Sequence, residues 1–272
     1  VEQFKDLMTK GWCVVRNVFD ADLLNTIAQD YNLIKGEHGF MQNYEIACPG
    51  GKKIPYLDRV DQALATVYKQ IQEQTGITTD FTQTPAYFAI ERGTDTKWHQ
   101  DHESYFQTGD HKDYLNIWVP IIKPDAALSN LGVINFEKLF ELDPNAKFLQ
   151  GLGATRFFVK NGVTMLHNEN DDSTYTIPFD INTIADYPEL NAGDAIIIRG
   201  DCIHQTQDRL TQRVSLSIRR LNSQSKIKRS HYDITSNTKR HIFESNPQFA
   251  QQMAIKFKDT DEITIAQFFD MK

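Results

Sequence analysis

The chain has 272 residues, with 36 acidic against 29 basic side chains, a formal charge of −7 and a pI near 5.6. That acidity argues against nonspecific nucleic-acid binding, which needs clustered Lys and Arg on phosphates, while 40% hydrophobic and 24% charged residues exclude a disordered chain and leave apolar mass for a full core. No run approaches the roughly 18 apolar residues of a membrane span, the opening VEQFKDLMTKGW lacks the basic end and apolar stretch of a signal peptide, and Cys13, Cys48 and Cys202 are too scattered for a disulfide framework; the expectation is a cytoplasmic protein in a reducing compartment.

The first quarter reads as mixed, with helices dominant. In FDADLLNTIAQDYNLIKG, Asp20 caps a helix whose Leu23, Leu24, Ile27, Tyr31 and Ile34 recur at helical spacing and whose end is Gly36. Val60, Leu64, Val67 and Ile71 mark a second stripe that stops before Gly76. From about residue 84 the period becomes that of strands, at 85–91, 114–121, 131–136, 155–159, 163–167, 173–177, 194–199 and 213–219, all rich in β-branched and aromatic residues. Asn161-Gly162 between two of them supplies the positive φ angles of a tight hairpin. After about 245 a helical pattern returns, with Phe249, Met253, Ile255 and Phe257 on one side and a second short piece at 262–269. No repeat or linker divides the chain, so it reads as one domain over 1–272, mainly β with flanking helices: a helical elaboration (1–83), a cupin-like jelly-roll core (84–220) and a C-terminal extension (221–272). Residues 219–241 stand apart, with seven Lys or Arg against one acid, a local +6 that leaves −13 for the rest. This segment reads either as a solvated loop or as a basic rim for an anionic substrate or carrier.

Chemistry concentrates in two places. In TKWHQDHES, His99 and Asp101 are two apart and point to one side of an extended segment, offering a nitrogen and an oxygen to a metal. A third ligand, His204, would complete two histidines and one carboxylate on one face of an octahedron, the arrangement that leaves ferrous iron with open positions. The triplet alone decides little, because about one His-x-acid match is expected by chance and the chain has four: His99/Asp101, His111/Asp113, His167/Glu169 and His231/Asp233. His111 is the rival, being an equally good ligand that precedes a strong strand. Downstream, Arg213, Ser215 and Ser217 share one face of an alternating strand. A guanidinium backed by hydroxyls suits a carboxylate, and it lies only nine residues past His204.

These residues resemble those of the Fe(II)/2-oxoglutarate-dependent dioxygenases, nearest to the phytanoyl-CoA hydroxylase-like branch. The likeness runs over roughly residues 4–220, through FKDLMTKGWCVVRNVFDADLLNTIAQD, WHQD, LNIWVPI and the His204–Arg213 segment. It implies a double-stranded β-helix, with His99, Asp101 and His204 as iron ligands. It also implies Arg213 on the distal carboxylate of 2-oxoglutarate, Thr206 offering a hydroxyl to it, and Trp118 and Asn116 lining its pocket. Ser215 joins them as a further cosubstrate contact. The family's Asn-Gly-Pro turn and Pro-Gly-Ser-His segment are replaced here by DAALSNLGVINFEKLF. Cofactors are then Fe(II), 2-oxoglutarate as cosubstrate and O2, and the expected outcome is hydroxylation; halogenating relatives carry Gly or Ala where this chain has Asp101. His102, Glu103, Tyr105, Arg156, His167 and Asn168 imply a small polar metabolite, as in natural-product tailoring, and the loop 93–113 reads as a lid. Two other classes share the same histidines: a jelly-roll binding protein without catalysis, and a cupin-type metal-dependent isomerase or hydrolase that makes no use of Arg213.

Overall fold

A computed structural model describes residues 3–35, 41–43, 55–90, 96–102, 109, 111–245 and 247–270. In chain order, α1 (Asp6–Thr9) leads to β1 (Trp12–Val15), α2 (Ala21–Ile34), β2 (Met41–Asn43) and α3 (Leu57–Thr75). Then come β3 (Phe81–Ala89), β4 (His99–Gln100), β5 (Tyr114–Ile122) and β6 (Leu131–Ile134), followed by α4 (Phe136–Leu142). Next are β7 (Thr155–Lys160), β8 (Val163–Asn168), β9 (Thr174–Ile177), β10 (Ala185–Asp186), β11 (Ala195–Arg199), β12 (His204–Thr206) and β13 (Val214–Leu221). The tail holds β14 (Lys226–Lys228), α5 (Asn237–Ser245), α6 (Pro247–Lys256), β15 (Glu262–Thr264) and α7 (Ile265–Phe268).

Local chemistry accounts for the element ends. The Asp20 carboxylate accepts from the Leu23 amide at 2.8 Å, satisfying one orphan donor at the start of α2. Gly76, at φ 75°, closes α3 in the left-handed conformation. Asn161 and Gly162 take φ 53° and 78° between β7 and β8, matching the right-handed strand twist. The predicted stop at Gly36 lies outside the described residues.

Two antiparallel sheets form the jelly roll: a six-stranded one ordered β1-β11-β5-β13-β3-β2 and a seven-stranded one ordered β10-β6-β12-β4-β7-β8-β9. The first draws β1 and β2 from the helix-dominated first quarter of the chain, and β1 pairs with the fully buried β11, which would otherwise present an open hydrophobic edge. Strand β5 is buried almost end to end because both its faces are covered. Ile117 and Val119 pack outward with Leu216 against Leu23, Ile27 and Leu64 of α2 and α3. Trp118 points inward with Leu131, Ile196 and Ile198. On β13 the same alternation sends Val214, Leu216 and Ile218 to the helices, so the odd-numbered polar residues face the other way.

Two irregularities flank β13. Between Ser217 and Arg219 its partner β3 advances from Ala86 to Gln83, and between Val214 and Ser215 its partner β5 slips from Ile122 to Pro120. Each extra residue adjoins a proline, Pro85 or Pro120, which has no N–H for the ladder, and such bulges increase local twist.

Tail expectations change in two details. Ile255 points to solvent, while Met253 and Phe257, with Phe249 packed beside them, supply the buried side of that stretch. Residues 262–269 begin as strand β15 paired with β14 before turning into α7. Among the described residues no helix is long and apolar enough to cross a membrane.

Gly193 tests the turn before β11. At φ 87° its carbonyl accepts from the Val18 amide at 2.7 Å, and a Cβ there would lie 2.7 Å from the Phe19 carbonyl oxygen. Gly193→Ala is expected to lower unfolding free energy in urea by roughly 2 kcal/mol through positive-φ strain plus this clash. An unchanged midpoint would contradict the close approach.

Candidate metal centre

Strand pairing, not sequence proximity, brings the two histidines together. β12 lies against β4 with His204 directly opposite His99, so both side chains leave the sheet on one face. Asp101 follows on the same side, its carbonyl accepting from the Ala154 amide at 2.9 Å. Gln100 points the other way and locks the segment: its Nε2 donates to the carbonyls of Leu149 (2.8 Å) and Asp201 (2.7 Å), and its Oε1 accepts from Thr155 Oγ1 (2.7 Å).

Backbone carbonyls set the ring orientations. His99 Nδ1 lies 2.7 Å from the Lys97 carbonyl and His204 Nδ1 lies 3.0 Å from that of Cys202. A carbonyl only accepts, so each Nδ1 carries a proton and each Nε2 is turned inward toward Asp101. Buried Cys202 thus contributes its carbonyl to the site. The two Nε2 atoms lie 3.3 Å (His99) and 3.5 Å (His204) from Asp101 Oδ1, and the imidazole centroids are 4.3 Å apart. Donors sharing one ion at about 2.1 Å are about 3.0–3.4 Å apart for right to tetrahedral angles, so the spacing suits a metal with little adjustment. Among the described residues His99, Asp101 and His204 are the one group of three or more His, Cys, Asp or Glu ligand atoms lying within 4.8 Å of each other.

Electrostatics prepare two of the three. Burial alone would push the Asp101 carboxyl up, but His204, then His99 and Arg219, outweigh it and hold it well below the carboxylate range. Burial, then His99, pushes His204 down to about 4, so its ring is neutral at pH 7 and free to coordinate.

The three residues open into a cavity of about 60 Å³ that Arg213, Trp118, Asn116 and Thr206 also line. Arg213 is 2% exposed, sits 5.1 Å over the Trp118 ring and donates through Nη1 to the Ser129 carbonyl at 3.2 Å. Burial lowers it to about 10, against the attraction of Asp208, and it stays charged at neutral pH. Thr206 Oγ1 accepts from the Thr96 amide at 3.1 Å. Ser215 is different: its hydroxyl donates to the Phe88 carbonyl at 3.2 Å and it does not line the cavity, because the shift beside Pro120 sets it at the β3 side. Ser217 and Arg219 line it instead. Arg219 opens the basic 219–241 segment, yet the alternating face that begins at Arg213 reaches it in three steps, through Ser215 and Ser217. Lys239 of that segment is also buried, whereas Lys226 and Lys228 are exposed.

Of the residues read as substrate contacts, His102, Arg156, His167 and Asn168 lie among the described residues. His204, His99, Arg156 and His167 stand directly opposite one another across β12, β4, β7 and β8, forming one row over the sheet face. Glu169 joins this row to the ligand loop by accepting from His102 and, at 3.2 Å, from Arg156 Nε. Burial alone would raise the Glu169 carboxyl, but His102 and Arg156 hold it below its ordinary range. His167 lies 3.6 Å from Asp172. Glu103 and Tyr105, and much of the 93–113 loop, lie outside the described residues. The rival His111 lines a separate cavity with Arg199 and Asp201, and Asp113 accepts from the Thr78 amide and the Asn222 side chain at 2.9 Å each.

No protein-family model matches the chain, and no curated protein matches it in sequence. Solved structures do. The non-heme alpha-ketoglutarate-dependent carbocyclase SnoK from nogalamycin biosynthesis superposes with a TM-score of 0.54 at 10% identity, covering 89% of each chain. EctD from S. alaskensis, solved with 2-oxoglutarate and 5-hydroxyectoine, gives 0.54 at 12% identity over 84% of this chain and 78% of its own. EvdO2 from Micromonospora carbonacea var. aurantiaca, complexed with 2-oxoglutarate, gives 0.51 at 15% identity over 80% and 89%. Beneath a divergent sequence, then, the chain has the jelly-roll fold shared by iron- and 2-oxoglutarate-dependent oxygenases.

Proposed function

We propose that the protein is an Fe(II)/2-oxoglutarate-dependent oxygenase that hydroxylates a small polar metabolite in a biosynthetic tailoring step. The observation that carries this reading is the convergence of two Nε2 atoms and one carboxylate oxygen in the same cavity as a buried guanidinium. A cupin isomerase needs the first feature and has no use for the second. His99, Asp101 and His204 would hold the iron, which supplies the activation of O2 coupled to breakdown of a 2-oxo acid. Arg213, stacked on Trp118, offers paired donors to the distal carboxylate, and Thr206 and Asn116 line the seat between. The row of Arg156 and His167 beside His99, with His102 and Glu169, supplies polar contacts for a substrate on the open side of the metal. Because Asp101 occupies the carboxylate position, halide has no vacant site, and turnover in chloride is expected to give no chlorinated product. Placement nearest the phytanoyl-CoA hydroxylase-like branch rests on the sequence motifs.

Anaerobic addition of Fe(II) and 2-oxoglutarate to metal-free protein tests the reading. The expected result is a weak visible charge-transfer band that requires both additions. Iron binding without that band would favour the binding-protein or cupin alternatives.

A further inference from the structure

The two carboxylate oxygens of Asp101 have different surroundings. Oδ1 faces both imidazoles, at 3.3 and 3.5 Å. Oδ2 faces Asn116 Nδ2 at 3.4 Å. Behind Asn116 the contacts continue: Ser217 Oγ lies 2.8 Å from Asn116 Oδ1, and Arg219 Nη1 lies 2.7 Å from Ser217 Oγ.

The direction of this chain follows from donor chemistry. A guanidinium has donors only, so Ser217 Oγ accepts from Arg219 and must pass its own hydrogen to the Asn116 carbonyl oxygen. That choice fixes the amide, whose nitrogen then points at Asp101. Sheet register builds the arrangement. Ser217 stands opposite Trp118 and Arg219 opposite Asn116 across β13 and β5, so all these side chains share the inner face. The irregularity at Pro85 falls beside Ser217 and Arg219, a place where such features re-aim side chains. Asn116, Ser217 and Arg219 are 6%, 1% and 9% exposed, and in so dry a setting a satisfied polar chain is strongly orienting, while a broken one is costly.

We propose that Arg219, Ser217 and Asn116 form a positioning relay that holds the outer oxygen of Asp101, so that this carboxylate meets the metal through one oxygen only. The inference rests on the metal-centre reading above. An octahedral ion held by three protein atoms keeps three positions, of which a chelating 2-oxo acid takes two. A carboxylate free to turn and bind through both oxygens would close the last one. Holding Oδ2 keeps that position open. Asn116 is then a positioning residue for the metal carboxylate, in addition to lining the cosubstrate cavity.

The test is the affinity of the metal-free protein for Mn(II), read from the EPR signal of free Mn(II), with no cosubstrate and no turnover. Ser217→Ala removes the middle hydroxyl and is expected to weaken Mn(II) binding about 10–100-fold, the usual cost of losing an outer-shell partner. Asn116→Leu should lose a similar amount, the double variant little more than either single one, and Ser217→Thr, which keeps a hydroxyl, should stay within about threefold of the wild type. Thermal unfolding without metal checks that each variant folds, and Asn116→Leu serves if Ser217→Ala does not. Unchanged Mn(II) affinity in Ser217→Ala and Asn116→Leu overturns the relay, whatever happens to 2-oxoglutarate affinity. An equal loss in Ser217→Thr also overturns it, since packing rather than the hydroxyl would then matter. Failure of the wild type to bind Mn(II) would instead bring down the metal-centre reading, and the relay with it.

Discussion

Asp101→Ala is expected to weaken divalent-metal binding on the order of 10³-fold, while His111→Ala leaves it unchanged. The size follows from the site's electrostatics. Asp101 is its single described lining carboxylate, and it faces two imidazoles and the Arg219 guanidinium. Removing one partner from a buried charged set costs about 3–5 kcal/mol, and each 1.4 kcal/mol is tenfold in affinity. Replacing His204 by Ala should be of similar consequence, because its ring is held by the Cys202 carbonyl in the one tautomer that presents Nε2 inward. Mn(II) titration followed by EPR measures all three. Retained affinity in Asp101→Ala together with loss in His111→Ala would move the metal to the other His-x-acid triplet and overturn the assignment.

Arg213→Ala should leave metal affinity intact and raise the dissociation constant for 2-oxoglutarate by about 10²–10³-fold. Truncating one partner of a buried, hydrogen-bonded charge pair costs about 2–5 kcal/mol, much of it from the charge left behind. Arg213 fits that description from its side: it is almost fully buried, rests on Trp118 and is anchored at the Ser129 carbonyl. Arg213→Lys is expected to recover only a small part of the loss, since an ammonium cannot make two parallel bonds or stack on the indole in the same way. The charge-transfer band of the Fe(II) complex, titrated anaerobically, reads the constant directly. Equal affinity in wild type and Arg213→Ala would leave the guanidinium without a cosubstrate role and favour a cupin-type enzyme.

Much of this architecture is legible in the linear pattern because its causes are local. The stripe of Val60, Leu64, Val67 and Ile71 is buried along one side of α3, and the Asp20 cap and the Asn161-Gly162 turn are where their chemistry requires. The alternation of β13 also places Arg213 and Ser217 on the polar face. That same alternation extends to Arg219, which the charge run of 219–241 concealed: seven basic residues in a row of polar neighbours read as a solvated surface, yet two of them, Arg219 and Lys239, are buried. Gln100 was overlooked for a related reason. Between two ligand positions it faces the opposite side of the strand, where a lone glutamine gives no signal until Leu149, Asp201 and Thr155 are brought around it.

By itself the sequence determined the element types, the apolar faces and the kinds of ligand on offer, since periods of 2.0 and 3.6 residues and capping or turn preferences act over a few positions. The tertiary structure alone decided which histidine meets which. His99 and His204 are 105 residues apart, and four His-x-acid triplets were equivalent by composition; only the antiparallel register of β12 on β4 sets one imidazole opposite the other. The register of β13 on β5 likewise turned a surface-reading arginine into the buried end of a hydrogen-bonded chain reaching Asp101. Register is a property of two strands and of the bulges between them, and no local period within either strand encodes it.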